Sequence, residues 1–318
     1  MLDPATILMA LGVALVALLL LRGGCCAGAC DSRPAPGRIT RSTSSVEADG
    51  ATIKADVLVL EGHELQDFLE YLESNRAAMP ALNRLLDMYK PSRKFPDMSH
   101  FRLGPNMFEK IPLDWIIFSN ADGGSLIGHG VTTRLHWDLN PGHRPDGWQD
   151  AVRVSYQNSH VDLKEPNSLV GLFICIEESS RKHGWAGNLI GEMKAIGRRN
   201  KMAALIIPLR PPTRYQKEYA EMPMAEFAAL KREDGQYKDH WIRLHVRLGA
   251  KVIGISSTSH QHAMSLKDYY TMISPAPVIR SGYTLVQQRD GGWYNVYVDL
   301  EREFALINQG CVWVQHPL

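Results

Sequence analysis

Hydrophobic positions between residues 169 and 209 predict a strand, a helix and a second strand. The apolar run from Leu169 to Ile176 is bounded by polar residues, and its eight residues fit a buried strand better than a helix, which would normally run longer. From Trp185 to about residue 200, apolar residues recur every three or four positions, which predicts an amphipathic helix with a basic last turn. A second apolar run, Met202 to Leu209, completes the unit.

The same periodicities predict further elements on both sides of this unit. Strands are expected over 55–60, 114–119, 125–133, 251–256, 293–300 and 304–313, and helices over 64–73, 77–89, 222–232 and 239–248. The sequence Asp122-Gly123-Gly124 lies between two apolar runs and predicts a hairpin. Residues 134–167 are predicted to be a long excursion outside the core, with a helix only over 149–156. No element is assigned to 257–292.

The N-terminal region differs from the rest of the chain. Residues 6–21 carry no charge and as a helix span about 24 Å, slightly less than the roughly 30 Å of a hydrocarbon core. Basic residues follow this segment, which favours a single-pass signal anchor over 1–22 with the C-terminal body in the cytoplasm. A signal peptide cleaved near Ala29 is the alternative. Residues 23–52 are poor in large apolar groups and are predicted to be a disordered linker before a domain over 53–318.

Composition and charge exclude several classes of function. Hydrophobic residues make up 45% of the chain, which is ample for a core, and the net charge of +1 offers no basic surface for nucleic acid. The five cysteines form neither a Cys-x-x-Cys pair nor a disulfide framework, so we expect no metal site and a reducing compartment. His260 and His262 lack a further ligand at metal spacing and are predicted to lie in a surface loop.

The turn after the first apolar run has the composition of an anion-binding site. Gly184, Ala186 and Gly187 are small, so the backbone at the helix start is accessible, and its unpaired N–H groups favour an anion. Arg181 and Lys182 add positive charge. Three or four such contacts, at roughly 1.5 to 3 kcal/mol for each charge-assisted hydrogen bond, are enough to hold a pyrophosphate. The simpler interpretation is a tight turn with a solvated basic rim.

The residues Arg181, Gly184 and Ala186 resemble the coenzyme A signature of the GNAT acyltransferase superfamily, Arg/Gln-x-x-Gly-x-Gly/Ala. Further motifs resemble a little-studied GNAT-like subgroup: Pro208-Leu209-Arg210-Pro211, Asp234-Gly235, His240-Trp241-Ile242-Arg243 and His245-Val246-Arg247-Leu248-Gly249. The resemblance is good over about 115–256. It implies an α/β (α+β) fold with a mixed central sheet flanked by helices.

The resemblance also implies an enzyme that transfers an acyl group from acetyl-CoA or a longer acyl-CoA to an unidentified acceptor, expected to be an amine. The pyrophosphate is expected on the turn Arg181, Lys182, His183, Gly184, Trp185, Ala186 and Gly187, and the pantetheine arm on the backbone of Cys175, Ile176 and Glu177. His245 stands where the superfamily usually has a tyrosine acid, and Glu177 or Glu178 is the candidate base. Because that tyrosine is missing, a GNAT-like domain that binds coenzyme A or an acyl carrier without catalysis is the alternative.

Overall fold

The computed structural model describes residues 37–48, 50–89, 107–121, 123–274, 276–287 and 291–318. The predicted anchor over 1–22, and the predicted linker as far as residue 36, lie outside these residues. Within the described ranges, no helix has both the length and the apolar character needed to cross a bilayer.

Ten strands of the described chain form one sheet. They are β1 (Arg38–Ala48), β2 (Ala51–His63), β3 (Leu113–Asn120), β4 (Leu126–Leu135), β5 (Ser168–Ile176), β6 (Ala204–Leu209), β7 (Lys251–Ser265), β8 (Gly282–Gln287), β9 (Trp293–Asp299) and β10 (Phe304–His316). The helices are α1 (Leu65–Asn75), α2 (Ala81–Tyr89), α3 (Met107–Lys110), α4 (Trp148–His160), α5 (Trp185–Arg199), α6 (Met224–Ala229), α7 (His240–Arg247) and α8 (Leu266–Met272).

The strand order is β1-β2-β3-β4-β5-β6-β10-β9-β8. The long strand β10 pairs with β6 and β9 along one edge and with β7 along the other. All described strand pairs are antiparallel except β5 with β6, which are parallel and joined through α5. The predicted mixed central sheet flanked by helices is therefore confirmed.

Both faces of the sheet are covered by helices, which explains why β3 and β4 are buried over most of their length. In β3, Trp115 and Ile117 pack on the side of α1, α2, α3 and α4, whereas Ile116 and Phe118 pack on the side of α5, α6 and α7. A third cluster packs α8 against β8, β9 and β10. Successive side chains of β3 thus point to opposite faces of the sheet and pack in two different hydrophobic clusters.

The prediction that residues up to 52 form a linker is wrong from Arg38 onward. Residues 38–48 are β1, which pairs with β2 in a continuous register from Arg38↔Glu61 to Ala48↔Ala51. Of its side chains only Val46 is buried, because β1 is an edge strand held by its backbone hydrogen bonds to one neighbour. Asp49-Gly50 lies in the sequence between Ala48 and Ala51, and an Asp-Gly pair between two strands is a hairpin signal.

Two further predictions need correction. Residues 134–167 are not outside the core, since α4 buries Trp148, Ala151 and Val152 against the sheet. Their spacing of three and four is helical, but polar neighbours lower the average hydrophobicity of the segment. His260 and His262 lie in β7 and not in a loop, because the polar half of β7 is held by its ladder with β10. The unassigned segment 257–292 contains the rest of β7, α8 and β8.

Candidate functional site

The parallel strands β5 and β6 separate after a short paired segment. Residues 168–170 pair with 204–206, and the register stops there. Pro208 lies two residues beyond the last pair, where a missing backbone N–H costs no hydrogen bond to β5. The resulting gap opens a cavity of about 580 Å³, within the roughly 300 to 1,000 Å³ typical of ligand pockets.

The open edge of β5 offers backbone groups to this cavity. The amide of Glu177 donates to the carbonyl of Ile127 at 2.9 Å, so Ile176 and its partner Gly128 form a non-hydrogen-bonded pair in the β4–β5 ladder. By the alternation of an antiparallel ladder, Ile174 and Ile176 direct their N–H and C=O groups toward β6. An extended chain in the gap can therefore pair with β5, as predicted for pantetheine at 175–177, although the inward-facing groups are those of Ile174 and Ile176.

The predicted anion-binding turn connects β5 to α5. After a 3-10 turn at Glu178–Ser180, Lys182 and Gly184 adopt positive φ angles of 70° and 91°, and α5 begins at Trp185. A Cβ on Gly187 would meet nothing within 4 Å, and one on Gly184 would meet only Val46 Cγ1 at 3.9 Å. The helix start is thus accessible, and the amides of Trp185 and Ala186 lack an acceptor within the helix.

The side chains around this turn have different environments. Arg181 and Lys182 are exposed, and Arg181 Nε donates to the carbonyl of Ile176 at 3.3 Å. His183 is half-buried. The Trp185 ring is buried against Phe118 at 5.8 Å, so this residue has only its backbone available to a ligand. The turn therefore combines an accessible backbone with mobile cations.

His245 lines the cavity from α7 and is fully buried. Its Nδ1 lies 2.8 Å from Nε2 of His316, and its own Nε2 has no hydrogen-bond partner in the described chain. Burial, followed by the nearby His316 and Lys194, lowers the pKa of His245 to about 3. The imidazole is therefore neutral near pH 7, and its Nε2 suits a hydrogen bond to a ligand better than release of a proton.

The two candidate bases do not line the cavity in the part of the chain that the structure describes. Glu177 Oε1 accepts a hydrogen bond from Arg84 Nε on α2 at 3.2 Å. Glu178 is exposed in the 3-10 turn. The role of either carboxylate stays a prediction, and the structure does not bring either to His245.

Cys175 lines the cavity near the end of β5. Desolvation raises the pKa of its thiol above the ordinary value, and the neighbouring Glu177 adds to this effect. Because the thiolate is the nucleophilic form of cysteine, the neutral Cys175 thiol is not activated for covalent catalysis. Its contribution to the site is as part of the wall.

Several cavity residues were not predicted as site residues: Arg210, Tyr215, Trp241, His260 and Tyr294. Trp148, which could either line a pocket or pack in the core, also lies in the cavity wall. The Tyr215 and Tyr294 rings lie 4.8 Å apart, as do the Trp148 and His260 rings. Burial, with Arg210 and His262 nearby, lowers the pKa of His260 to about 3, so this imidazole is also neutral. The motif around Arg210 was a sequence signal for this wall, whereas Trp148 and His260 reach it only through the packing of α4 against β7.

Metal ligands are not grouped in the described residues: no three His, Cys, Asp or Glu side chains there are placed to hold an ion.

Comparison with known proteins gives one curated relative. The chain is 28% identical over 156 residues to "Arginine N-acetyltransferase avaD" from Aspergillus versicolor, covering 46% of this chain and 52% of the relative. The chain thus spans about half the length of the curated relative it matches. No family model matches the chain.

Solved structures of GNAT-type proteins are also similar to the chain. The loading GNATL domain of CurA from Lyngbya majuscula has 14% identity and a TM-score of 0.38, covering 82% of this chain and 97% of that domain. A GphF GNAT-like decarboxylase in complex with isobutyryl-CoA has 12% identity and a TM-score of 0.37, with coverages of 81% and 98%. Both TM-scores are below 0.5.

Proposed function

We propose that the chain is an acyl-CoA-dependent acyltransferase that acetylates or acylates an amine. The observation that carries this proposal is the separation of β5 and β6, which opens a cavity beside a free strand edge. The same strand leads directly into the accessible basic turn before α5. The activity in the name of the curated relative, arginine N-acetylation, supports an amine as the acceptor.

In this proposal the turn at 181–187 holds the pyrophosphate of coenzyme A through the first amides of α5 and through Arg181 and Lys182. The gap-facing groups of Ile174 and Ile176 pair with the pantetheine arm. His245 Nε2 donates a hydrogen bond to the thioester or to the departing sulfur. The amine nitrogen attacks the thioester carbon, the C–S bond breaks, and the proton lost from nitrogen balances the one gained by the thiolate.

Calorimetry of coenzyme A binding to the full chain and to Arg181→Glu tests the proposed pyrophosphate site at the anion-binding turn. Replacing a cation by an anion beside a diphosphate is expected to lower the affinity at least tenfold, or to abolish binding. Arg198→Glu is the matched control, since Arg198 is an exposed arginine in the last turn of the same helix. Equal loss in both variants would show that net charge, and not the turn, determines affinity.

A second candidate is a domain that binds coenzyme A or an acyl carrier without catalysis. The neutral state of His245 and the pairing of Glu177 with Arg84 favour it, because neither residue is then poised to move a proton. Thiol release from acetyl-CoA, measured with a panel of amines, separates the two candidates. Binding without thiol release for every amine would support the second.

We further propose that residues 6–21 anchor the protein in a membrane, with the folded body in the cytoplasm. The uncharged segment and the arginines that follow it support this location. Fractionation of cells that express the full chain or a version starting at residue 37 tests it. Equal recovery of both in the soluble fraction would contradict an anchor.

A further inference from the structure

Arg210 is a cation without a carboxylate partner in the candidate cavity. It directly follows β6 and lines the gap. Its Nη1 donates to Gln309 Oε1 at 3.0 Å, and its guanidinium carbon lies 6.0 Å from the ring centre of Tyr215. Among the described residues, Arg210 forms no ion pair with Asp or Glu. Most of its five N–H donors therefore remain available to a ligand.

Two prolines restrict the backbone that carries this guanidinium. Pro208 fixes one φ angle inside β6, where it pairs with Trp313 of β10. Pro211 follows directly with φ of −69°, and a residue that precedes proline is held in extended backbone. The base of the Arg210 side chain is therefore placed rigidly at the mouth of the gap. A preorganised arginine loses less conformational entropy when it binds a planar anion.

The composition of the cavity wall indicates the charge of the group that Arg210 binds. Among its described lining residues there is no Asp or Glu, and the walls near Arg210 are aromatic, including Tyr215, Tyr294 and Trp148. Arg210 is exposed, so water can reach its guanidinium, and an anion that enters the cavity meets this charge with no carboxylate of the described lining to compete for it. A carboxylate fits because it accepts two parallel hydrogen bonds from the guanidinium fork.

The pyrophosphate already has its own proposed cations, Arg181 and Lys182, on the turn after β5. Arg210 belongs to the other strand of the gap and lies near His260, whose pKa its charge helps to lower. The position of Arg210 on β6 thus favours the acceptor over the phosphates of coenzyme A.

We propose that the acceptor is an amine that also carries a carboxylate, as in a free α-amino acid, and that Arg210 binds this carboxylate. The proposal rests on the acyltransferase function above and adds the class of acceptor. Arg210 is a specificity residue in this scheme: the new C–N bond forms at the amine, and the carboxylate stays unchanged throughout. The aromatic walls then contact the amino acid side chain.

The test compares amino acids with their carboxamides, which keep the amine and the side chain but lose the negative charge. We use leucine, phenylalanine and arginine with their amides, and measure kcat/KM for thiol release from acetyl-CoA by the full chain. The wild type is expected to favour the acids by about tenfold to a hundredfold, the range of one charge-assisted hydrogen bond. In Arg210→Gln the ratio is expected to fall to near one, and in Arg210→Lys to an intermediate value, because lysine keeps the charge without the fork.

Two controls separate this effect from general damage. Lys217→Gln removes a nearby exposed cation outside the described cavity lining, 4.8 Å from the Trp293 ring, and is expected to leave the ratio unchanged. Calorimetry of coenzyme A binding to Arg210→Gln is expected to give a dissociation constant within about twofold of the wild type, which also shows that the variant is folded. A tenfold loss of coenzyme A affinity would overturn the proposal by placing Arg210 in the phosphate site.

Direct binding distinguishes failure of this proposal from failure of the enzyme function. Calorimetry with the same acids and amides, added to the chain saturated with coenzyme A, does not depend on turnover. If the wild type binds the acids, Arg210→Gln does not, and no amine gives thiol release, the carboxylate site would be supported and the acyltransferase function contradicted. Equal use or equal binding of acids and amides by the wild type would overturn the carboxylate site.

Discussion

Buried charged side chains are paired with opposite charges in strands β2 to β4, whereas the gap between β5 and β6 contains an arginine without such a partner among the described residues. In the first region, Asp114 is fully buried and accepts from Arg134 Nη2 at 2.6 Å, and the buried Glu61 pairs with Arg199 at 2.7 Å. In the gap, Arg210 has no carboxylate partner among the described residues. The closed part of the sheet neutralises its charges internally, whereas the gap leaves donors for a ligand.

The backbone shows the same contrast. β2 and β3, and β3 and β4, pair over most of their lengths, whereas β5 and β6 pair over 168–170 and 204–206 alone. Groups left unpaired in a sheet must find another partner or water. The gap between β5 and β6 therefore leaves backbone groups of the sheet unpaired where β2, β3 and β4 pair theirs, and three variants test this difference.

The largest effect is expected from Asp114→Ala in the closed region. The change removes the acceptor of Arg134, of the Gly62 amide at 2.9 Å and of the Thr132 hydroxyl at 2.9 Å. Breaking a buried ion pair in this way costs about 3 to 5 kcal/mol of the free energy of unfolding. Urea unfolding followed by circular dichroism measures it.

The control for Asp114→Ala is Arg76→Ala, which removes an exposed pair with Glu73 and should cost less than about 1 kcal/mol. If both variants lost the same small amount, the charges around Asp114 would be solvated and the contrast between the two regions would disappear.

The next effect is expected in the gap, where His245→Phe removes the imidazole and its Nε2, which has no partner among the described residues. Turnover should fall at least tenfold, while the affinity for coenzyme A holds, because the proposed phosphate site is the turn at 181–187 and does not include His245. His240→Gln, an exposed histidine at the start of the same helix, is the control and should retain full turnover. Unchanged turnover in His245→Phe would remove His245 from the mechanism.

The pH profile sharpens the role of His245 further. With its pKa lowered to about 3, the imidazole stays neutral from pH 5 to 9, so kcat is expected to show no inflection near 6.5 from this residue. An inflection that His245→Phe abolishes would show instead that the imidazolium is the active form.

The smallest effect is expected from Gly187→Ala at the turn. Alanine is favoured over glycine inside a helix by about 0.5 to 1 kcal/mol, and its Cβ meets no atom within 4 Å, so the free energy of unfolding should rise. The same methyl group would project into the open space at the proposed phosphate-binding turn, so it should weaken coenzyme A binding several-fold in calorimetry. Gly191→Ala, one turn later and equally free of contacts, should stabilise without weakening binding. Equal affinities of the two variants would place the ligand elsewhere.

Much of the fold follows from the sequence because its signals are local. The run Leu169–Ile176, the amphipathic helix after Trp185 and the hairpin at Gly123–Gly124 each contain their own pattern, and the structure confirms all three elements. β1 and the polar half of β7 were missed because backbone hydrogen bonds to a neighbouring strand hold them, and side-chain periodicity does not report that neighbour.

Some features of the candidate site could likewise be predicted from the sequence, and others could not. The basic turn around Gly184 and the two apolar runs beside it could be predicted from the sequence, because small and charged residues within a few positions set the local chemistry. Three features appear only in the tertiary structure: β5 and β6 separate, Glu177 pairs with Arg84, and Arg210 lies near His260 without a carboxylate partner among the described residues. These facts depend on contacts between residues far apart in the chain, and a single sequence does not encode such distances in any local pattern.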